Sequence, residues 1–524
     1  SSAASDVYKR QKMDSCWAER KENAQANIFI RQYDSLGAEL GQWEVLNPYY
    51  YSPQDWAELR YLFITHPRAV RIDVYANIWD GCGTGWFDDL VFAPVEGPAV
   101  PILPWVSQDP LTEHVQMTAN LDALNYSFQA TYIPYPDRIE VEGKITSTSS
   151  EDRCLRLFYR LPITIQDWRW WDDARSSRTI ASDSIYQNAP EMPYRSGRSL
   201  SKYPFSAVDD SDSSGLSIAV PMDWPRIFRV SYCDLHGYQI SYDFGLSIET
   251  AKAPSEATFR FAIYRYDPEW GFRAGTKKYY DIYPHLFARR AEREGLWFYY
   301  TGIESVPNSQ DFGLMFDETG QYNWQFDNDS LIYVFAYSEP WGKWRHICDP
   351  CNEPMPQPPD SELIDTLYAD LSKSVPATVW EIADSTLACS AFARAVINCM
   401  PYEFSDDSED TNYYFEGLWH QWGPPDERYW AQNYPTNPDT ELPNPNRGKI
   451  WLTNEMRYWF NHIGNQGGHL DGMYFDSITL FWGWFIMENY RRSHWHYADL
   501  PLVFSYRTKV PVMLGAFSNY EFLK

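Results

Sequence analysis

The chain has 524 residues and a formal net charge of −27 at pH 7, which argues against nucleic acid and anionic membrane surfaces as partners, because both are themselves polyanionic. No run of 18 apolar residues occurs, so no membrane insertion is expected, and the length points to two to four domains. The 24 Trp, 39 Tyr and 28 Phe supply core, and they also supply flat apolar faces with polar edges of the kind that stack on sugar rings.

The first residues, SSAASDVYKRQ (1–11), lack the hydrophobic run of a signal peptide. They read as an appended sequence and are set aside from the fold. Residues 12–93 read as all-β. In VRIDVYANIWDG (70–81) apolar and polar residues alternate, as in a half-buried strand. Gly81, Gly83 and Gly85 mark a turn, and GTGWFDDLVF (83–92) closes the region. Five prolines between Pro94 and Pro110 oppose ladder pairing, so residues 94–110 read as a linker.

Residues 111–268 contain short alternating runs separated by turn residues, the pattern of a β-sandwich. Examples are RIEVEGKITSTS (138–149) and YQISYDFGLSI (238–248). The cluster WRWWDDAR (168–175) is either a packing cluster or a loop reaching toward a substrate cleft. In 269–294, Tyr280, Ile282, Tyr283, Leu286 and Phe287 fall on a helical spacing, which predicts a connecting helix.

From 295 onward strands and helices alternate. LWFYYT (296–301) and LIYVFAY (331–337) read as strands buried on both faces. DSELIDTLYADLSK (360–373) and KIWLTNEMRYWFNHIG (449–464) read as helices. YYFEGLW (413–419), LDGMYFDS (470–477) and PVMLGAF (511–517) read as further strands. Repeated βα units predict four or five strands of a parallel (β/α)8 barrel, cut short at the C-terminus.

Eight Cys are scattered, and only Cys348 and Cys351 form a CxxC, with no second half of a zinc site. A local disulfide or free thiols fit better than a metal. Dinucleotide, phosphate-loop, HExxH and GxSxG motifs are absent, and no cofactor is expected.

In a barrel the reacting groups sit at the C-terminal ends of the strands. Asp476 ends DGMYFDS (471–477), whereas Asp471 opens it and lies at the opposite end, several residues away at roughly 3.3 Å each. Asp476 is therefore the first candidate. Glu416 (YYFEGLWHQW) and Glu339 (AYSEPWGKW) follow, each flanked by aromatics that desolvate a carboxyl or contact a sugar. Asp317 and Glu318 in LMFDETG rank lower. Trp341, Trp344, Trp419, Trp422 and Trp482 are candidate platforms for substrate.

Two resemblances add to this reading. The closing run GTGWFDDLVF resembles the last strands of jelly-roll carbohydrate-binding modules, which implies a truncated jelly-roll fragment over 12–93; such a module can carry a structural calcium. The strand ending in Asp476 resembles the fourth-strand nucleophile motif of barrel glycosidases of the α-galactosidase clan and of endo-α-N-acetylgalactosaminidase-like enzymes. That resemblance implies a β-supersandwich over 111–268, a partial barrel over 295–524, and Asp476 as nucleophile or stabilising carboxylate. It further implies a glycoside hydrolase of the two-carboxylate type, retaining, acting on an oligo- or polysaccharide in an extracellular or periplasmic setting. The resembled families place the acid/base on a later strand, beyond Lys524, so the chain as it stands is expected to be inactive. A second reading is a non-catalytic carbohydrate-binding or adhesion protein. A third is a polysaccharide lyase, which calls for a Tyr/His or Lys/Arg constellation.

Overall fold

In the computed structural model, residues 4–13, 25–34, 36–45, 54–64, 69–79, 85–94, 100–182, 184–188, 201–234, 236–299, 301–348, 395, 398–399, 419–422, 429–476, 478, 488–505 and 509–524 are described. The chain divides into two compact units, residues 1–288 with 498–513, and residues 289–497 with 514–524. The structure is a β-rich multidomain arrangement of several sheets and few helices.

The N-terminal region of the first unit holds two three-stranded antiparallel sheets. One runs in the order Gln54–Ile64, Ala4–Met13, Gly85–Pro94, and the other Glu39–Val45, Gln25–Tyr33, Arg71–Trp79. The sequence sets residues 1–11 apart, yet Ala4–Met13 pairs on both sides. Pairing is a property of the backbone, and the polar run DVYKRQKM hides it. The Pro-rich linker also contains a short strand, Trp105–Gln108, which pairs with Val115–Leu121. It fits between Pro104 and Pro110 because it lies at a sheet edge, where flanking prolines cost no ladder bonds.

The sandwich is two antiparallel sheets. The larger has nine strands, with Glu256–Tyr266 between Gly215–Ala219 and Arg138–Ser147. The smaller has four, with Gly237–Leu246 between Arg153–Leu161 and Phe228–Cys233. Val141, Phe259 and Phe261 from the first meet Val230, Ile240, Tyr242 and Phe244 from the second in one core. Trp170 is fully buried in that core and its indole donates to Asn188 Oδ1 at 2.6 Å. The WRWWDDAR run is therefore a packing cluster: Arg169 and the Trp171 indole both bond the buried Asp209.

Strand Gly237–Leu246 is buried along its whole length. Its outer face is met by Leu502, Val503 and Pro511, where Gly245 N–H donates to Leu502 O at 2.9 Å. A Cβ at Gly245 would sit 2.2 Å from Val503 O, so glycine alone admits this approach. On the same face the Asp243 carboxylate, with no solvent exposure, accepts from Arg229 Nη1 and Nη2 at 3.1 and 2.7 Å and from Arg156 Nε at 2.8 Å.

The predicted connecting helix is shorter than 269–294. It runs Phe272–Ile282 and ends at Tyr283, because Pro284 cannot continue the ladder. A 3-10 turn, Pro284–Phe287, follows.

In the second unit four short strands, Leu296–Phe298, Leu314–Asp317, Tyr333–Ser338 and Gly472–Phe475, form a parallel sheet in that order. It is open: no closed barrel is present among the described residues, although four parallel strands are. Leu314–Asp317 is a strand that the sequence reading passed over, since four residues give no period. Leu296–Phe298 is an edge strand, with Leu296 59% exposed, and is not buried on both faces. One sheet face, Val334 and Ala336, packs on Trp459, Ile463 and Leu470. The predicted 449–464 helix is continuous in the structure as Arg447–Ile450, a π-turn Trp451–Met456, and Arg457–Asn465.

Pro511–Leu514 is a strand but not a parallel barrel strand. It pairs antiparallel with Val503–Phe504 in the first unit. Ser505 N–H to Val510 O and Lys509 N–H to Ser505 O close a tight connection, and a connection that short joins strands only in antiparallel fashion. The 413–418 part of the third predicted strand and the 360–373 helix lie outside the described residues. The strand found near the former is Trp419–Trp422, in a small antiparallel sheet with Gly342–Cys348 and Tyr429–Pro435.

Candidate functional site

The C-terminal edge of the parallel sheet carries a row of carboxylates. Glu318 follows the Leu314–Asp317 strand, Glu339 follows Tyr333–Ser338, and Asp476 follows Gly472–Phe475. Side chains alternate along a strand, so an acid just past the end and the residue two before it share a face. In each case that second residue is aromatic: Phe316 before Glu318, Tyr337 before Glu339, Tyr474 before Asp476. The parallel register sets Tyr337 beside Tyr474, with ring centroids 5.8 Å apart. Trp297, from the edge strand, lies 5.0 Å from Tyr474 and 5.3 Å from Phe335. This face is aromatic and half-exposed, opposite the aliphatic face that meets the helix.

The hydroxyls of the two tyrosines link the carboxylates. Tyr337 Oη lies 2.8 Å from Glu339 Oε1 and 2.8 Å from Asp476 Oδ2. The two carboxylate oxygens, each 2.8 Å from the same hydroxyl, are thus at most about 5.6 Å apart. Tyr474 Oη lies 3.2 Å from Asp476 Oδ1 and also engages Glu318. The Trp297 indole donates to Glu318 Oε2 at 3.3 Å. Burial first, then Glu339, pushes the Tyr337 phenol far above its ordinary value. Burial and Asp476 push Tyr474 up to about 12.

Tyr337 therefore stays protonated and has one proton for two acceptors. The proton is shared between the two acceptors, so a single hydroxyl holds both carboxyl groups at the ends of adjacent strands. Two carboxyl groups held that close are what acid/base chemistry on a substrate needs.

Asp471 sits at the other end of its strand, as the sequence implies. Its carboxylate accepts from Val334 N–H at 2.8 Å, a structural bond. Of the other sequence candidates, Trp341 is fully buried against Phe475, with ring centroids 5.7 Å apart. It is packing and not a platform, because the turn at 339–342 folds it under the strand end. Glu416 and Trp482 lie outside the described residues. Trp344, Trp419 and Trp422 fall on strands of the small antiparallel sheet, but their side chains lie outside the described residues. Cys351 is likewise outside them, and among the described residues Cys399 is a free, buried thiol. No group of His, Cys, Asp and Glu suited to a metal ion occurs among the described residues.

Tyr337, Tyr474, Trp297 and the place of Glu318 are what sequence reasoning missed. The signal was present as an aromatic–x–acid triplet repeated at 316–318, 337–339 and 474–476.

No protein family and no curated protein matches the chain. Among solved structures it is similar to a GH36 α-galactosidase from Geobacillus stearothermophilus in complex with 1-deoxygalactonojirimycin. The identity is 12%, over 47% of this chain and 42% of that chain, with a TM-score of 0.31. It is also similar to an α-N-acetylgalactosaminidase from Bifidobacterium bifidum, at 11% identity over 73% of this chain and 63% of that chain, with a TM-score of 0.32. A putative aldose 1-epimerase from Klebsiella pneumoniae matches at 11% identity over 30% of this chain and 52% of that one, with a TM-score of 0.19. The chain thus spans less than half of the first of these proteins, and at these values no residue correspondence follows.

Proposed function

We propose that the chain carries the active site of a glycoside hydrolase of the two-carboxylate type, with Asp476 as the nucleophile and Glu339 as the acid/base. The observation that carries this reading is the single Tyr337 hydroxyl bonded to both carboxyls at the ends of adjacent parallel strands. Glycoside hydrolysis needs one carboxyl to protonate the leaving oxygen and a second to attack the anomeric carbon. Carboxyls about 5–5.5 Å apart belong to the retaining mechanism, because a wider gap is needed to admit a water. The upper bound set by Tyr337 fits the narrower case. Asp476 is held by two tyrosines, which suits a carboxylate that must stay ionised and aimed. Trp297 and Tyr474 border the row with half-exposed rings, the surface that a sugar face takes. The substrate class is an oligo- or polysaccharide in an extracellular or periplasmic setting.

Two substitutions test the roles. Tyr337→Phe removes the shared hydroxyl and is expected to lower kcat/KM about 10- to 100-fold, the worth of a hydrogen bond to a charged group. Glu339→Gln should cost about 10²–10⁴-fold on a glycoside with a poor leaving group, and far less on one with a nitrophenolate, which departs without a proton. Equal losses on both substrates would remove Glu339 from the acid role.

A further inference from the structure

The helix Phe272–Ile282 has two sides. Phe272, Tyr279 and Ile282 enter a core with Phe205, Ala219 and Tyr264 of the nine-stranded sheet. The Tyr264 hydroxyl donates to Gly275 O at 2.9 Å and the Tyr279 hydroxyl to Val220 O at 2.9 Å, which fixes the helix on the sheet. Arg273, Ala274, Lys277 and Asp281 recur every three or four residues and form the side away from that core. A groove of about 640 Å³ runs between this side and the chain at Arg265–Asp267. Sites for small molecules occupy roughly 300–1,000 Å³.

Trp270 borders the groove and is 64% exposed. A rigid turn displays it. The Asp267 carboxylate accepts from Glu269 N–H at 3.0 Å, and Gly271 N–H donates to Pro268 O at 3.0 Å. Gly271 has a φ of +49°, and a Cβ there would sit 2.1 Å from the Trp171 ring, so glycine alone lets the turn close on Trp171. A single exposed apolar side chain is ordinary. A fixed indole beside a concavity lined by cations is a stacking surface with charge at hand.

The charges along the groove are unevenly matched. Lys277 pairs with Asp281 at 2.8 Å and Lys278 with Asp137 at 2.5 Å. Arg265 gives its guanidinium to Ser214 Oγ, and the Asp267 carboxylate caps its own turn. Arg273, between Trp270 and Lys277, has no carboxylate partner among the described residues. Its planar fork of N–H donors fits a carboxylate. We propose that the groove binds a saccharide with one carboxylate on its ring, with the ring face on Trp270, the carboxylate on Arg273, and hydroxyls on Lys277 and Asp281. The acids of the groove select this ligand over a phosphate: sugar hydroxyls donate to Asp267 and Asp281, whereas a doubly charged group is repelled by them. The net charge of −27 opposes a polyanion for the same reason. The groove belongs to the first unit, and the proposal does not rest on the strand-end acids of the second.

The test is isothermal titration calorimetry of the full chain with galacturonate and glucuronate disaccharides, their neutral parent disaccharides, and adenosine monophosphate. Wild type is expected to bind a uronate about tenfold or more tightly than its neutral parent. Arg273→Ala should remove that preference, weakening the uronate by about 10- to 100-fold, the worth of a hydrogen bond to a charged group, and leaving the neutral sugar as it was. Trp270→Ala should weaken both sugars by about tenfold, through the lost stacking face. Both side chains are exposed, so the urea midpoints of the two variants should stay at the wild-type value. Asp476→Asn should bind the uronate as wild type does. A uronate preference that survives Arg273→Ala, adenosine monophosphate bound more tightly than either uronate, or no binding across the panel overturns the proposal. Uronate binding that is lost in Asp476→Asn and kept in Trp270→Ala assigns the sugar to the strand-end acids and overturns it as well.

Discussion

Asp476→Asn is expected to abolish glycoside turnover, by on the order of 10⁴-fold or more, as removal of a nucleophile does in other hydrolases, and to leave unfolding unchanged. The two halves of that expectation come from one geometry. The asparagine side-chain oxygen still accepts from one of the two phenols, and its amide N–H can donate to the hydroxyl oxygen of the other, so neither phenol is left buried without a partner. What is lost is the negative charge and the nucleophilic oxygen, which only the reaction uses. Asp471→Asn, five residues earlier, gives the opposite pattern. It weakens the bond that anchors Val334 N–H at the base of the sheet and should lower stability modestly with little effect on the chemical step. Measuring kcat/KM and the urea midpoint for both variants separates a reacting carboxylate from a structural one on the same strand.

The second large effect lies in the sandwich. Asp243→Ala should destabilise that unit by about 3–5 kcal/mol, the cost of removing one partner of a buried ion pair. Asp243 holds Arg229, itself buried, through two bonds, and Arg156 through a third. Its loss takes from the buried Arg229 the carboxylate that meets two of its N–H groups. Replacing Arg229 and Asp243 together by Met and Leu should cost much less, because an apolar pair of similar volume removes the uncompensated charge. Urea unfolding of the single and double variants measures the difference. Equal losses would mean that the pair matters as packing and not as charge.

How much of this was legible in the sequence depends on the element. The sandwich strands were, because Arg138–Ser147 and Glu256–Tyr266 alternate over ten and eleven residues, enough for the period to show. The position of Asp476 at a strand end was, because a hydrophobic run ends in it and Gly472 marks where the run begins. Leu314–Asp317 was not, since its four residues carry no period. Its parallel partners, 17 or more residues away, supply the hydrogen bonds that define it. The Trp ranking failed at Trp341 for a related reason: adjacency to Glu339 in sequence says nothing about which way the turn folds the ring. Tyr337 and Tyr474 became visible only when the register set them side by side. The fifth barrel strand was misjudged because Pro511–Leu514 has the composition of a buried strand in either orientation, and the short connection after Val503–Phe504 decides for the antiparallel one.

The most direct test of the central claim is mechanism-based labelling. The full chain is incubated with a panel of 2-deoxy-2-fluoro and 5-fluoro glycosyl fluorides, digested, and mapped by mass spectrometry. One glycosyl adduct is expected, on the Asp476 side chain, absent from Asp476→Asn. A label on Glu339, Glu318 or any other carboxylate, or no label across the panel, would contradict it.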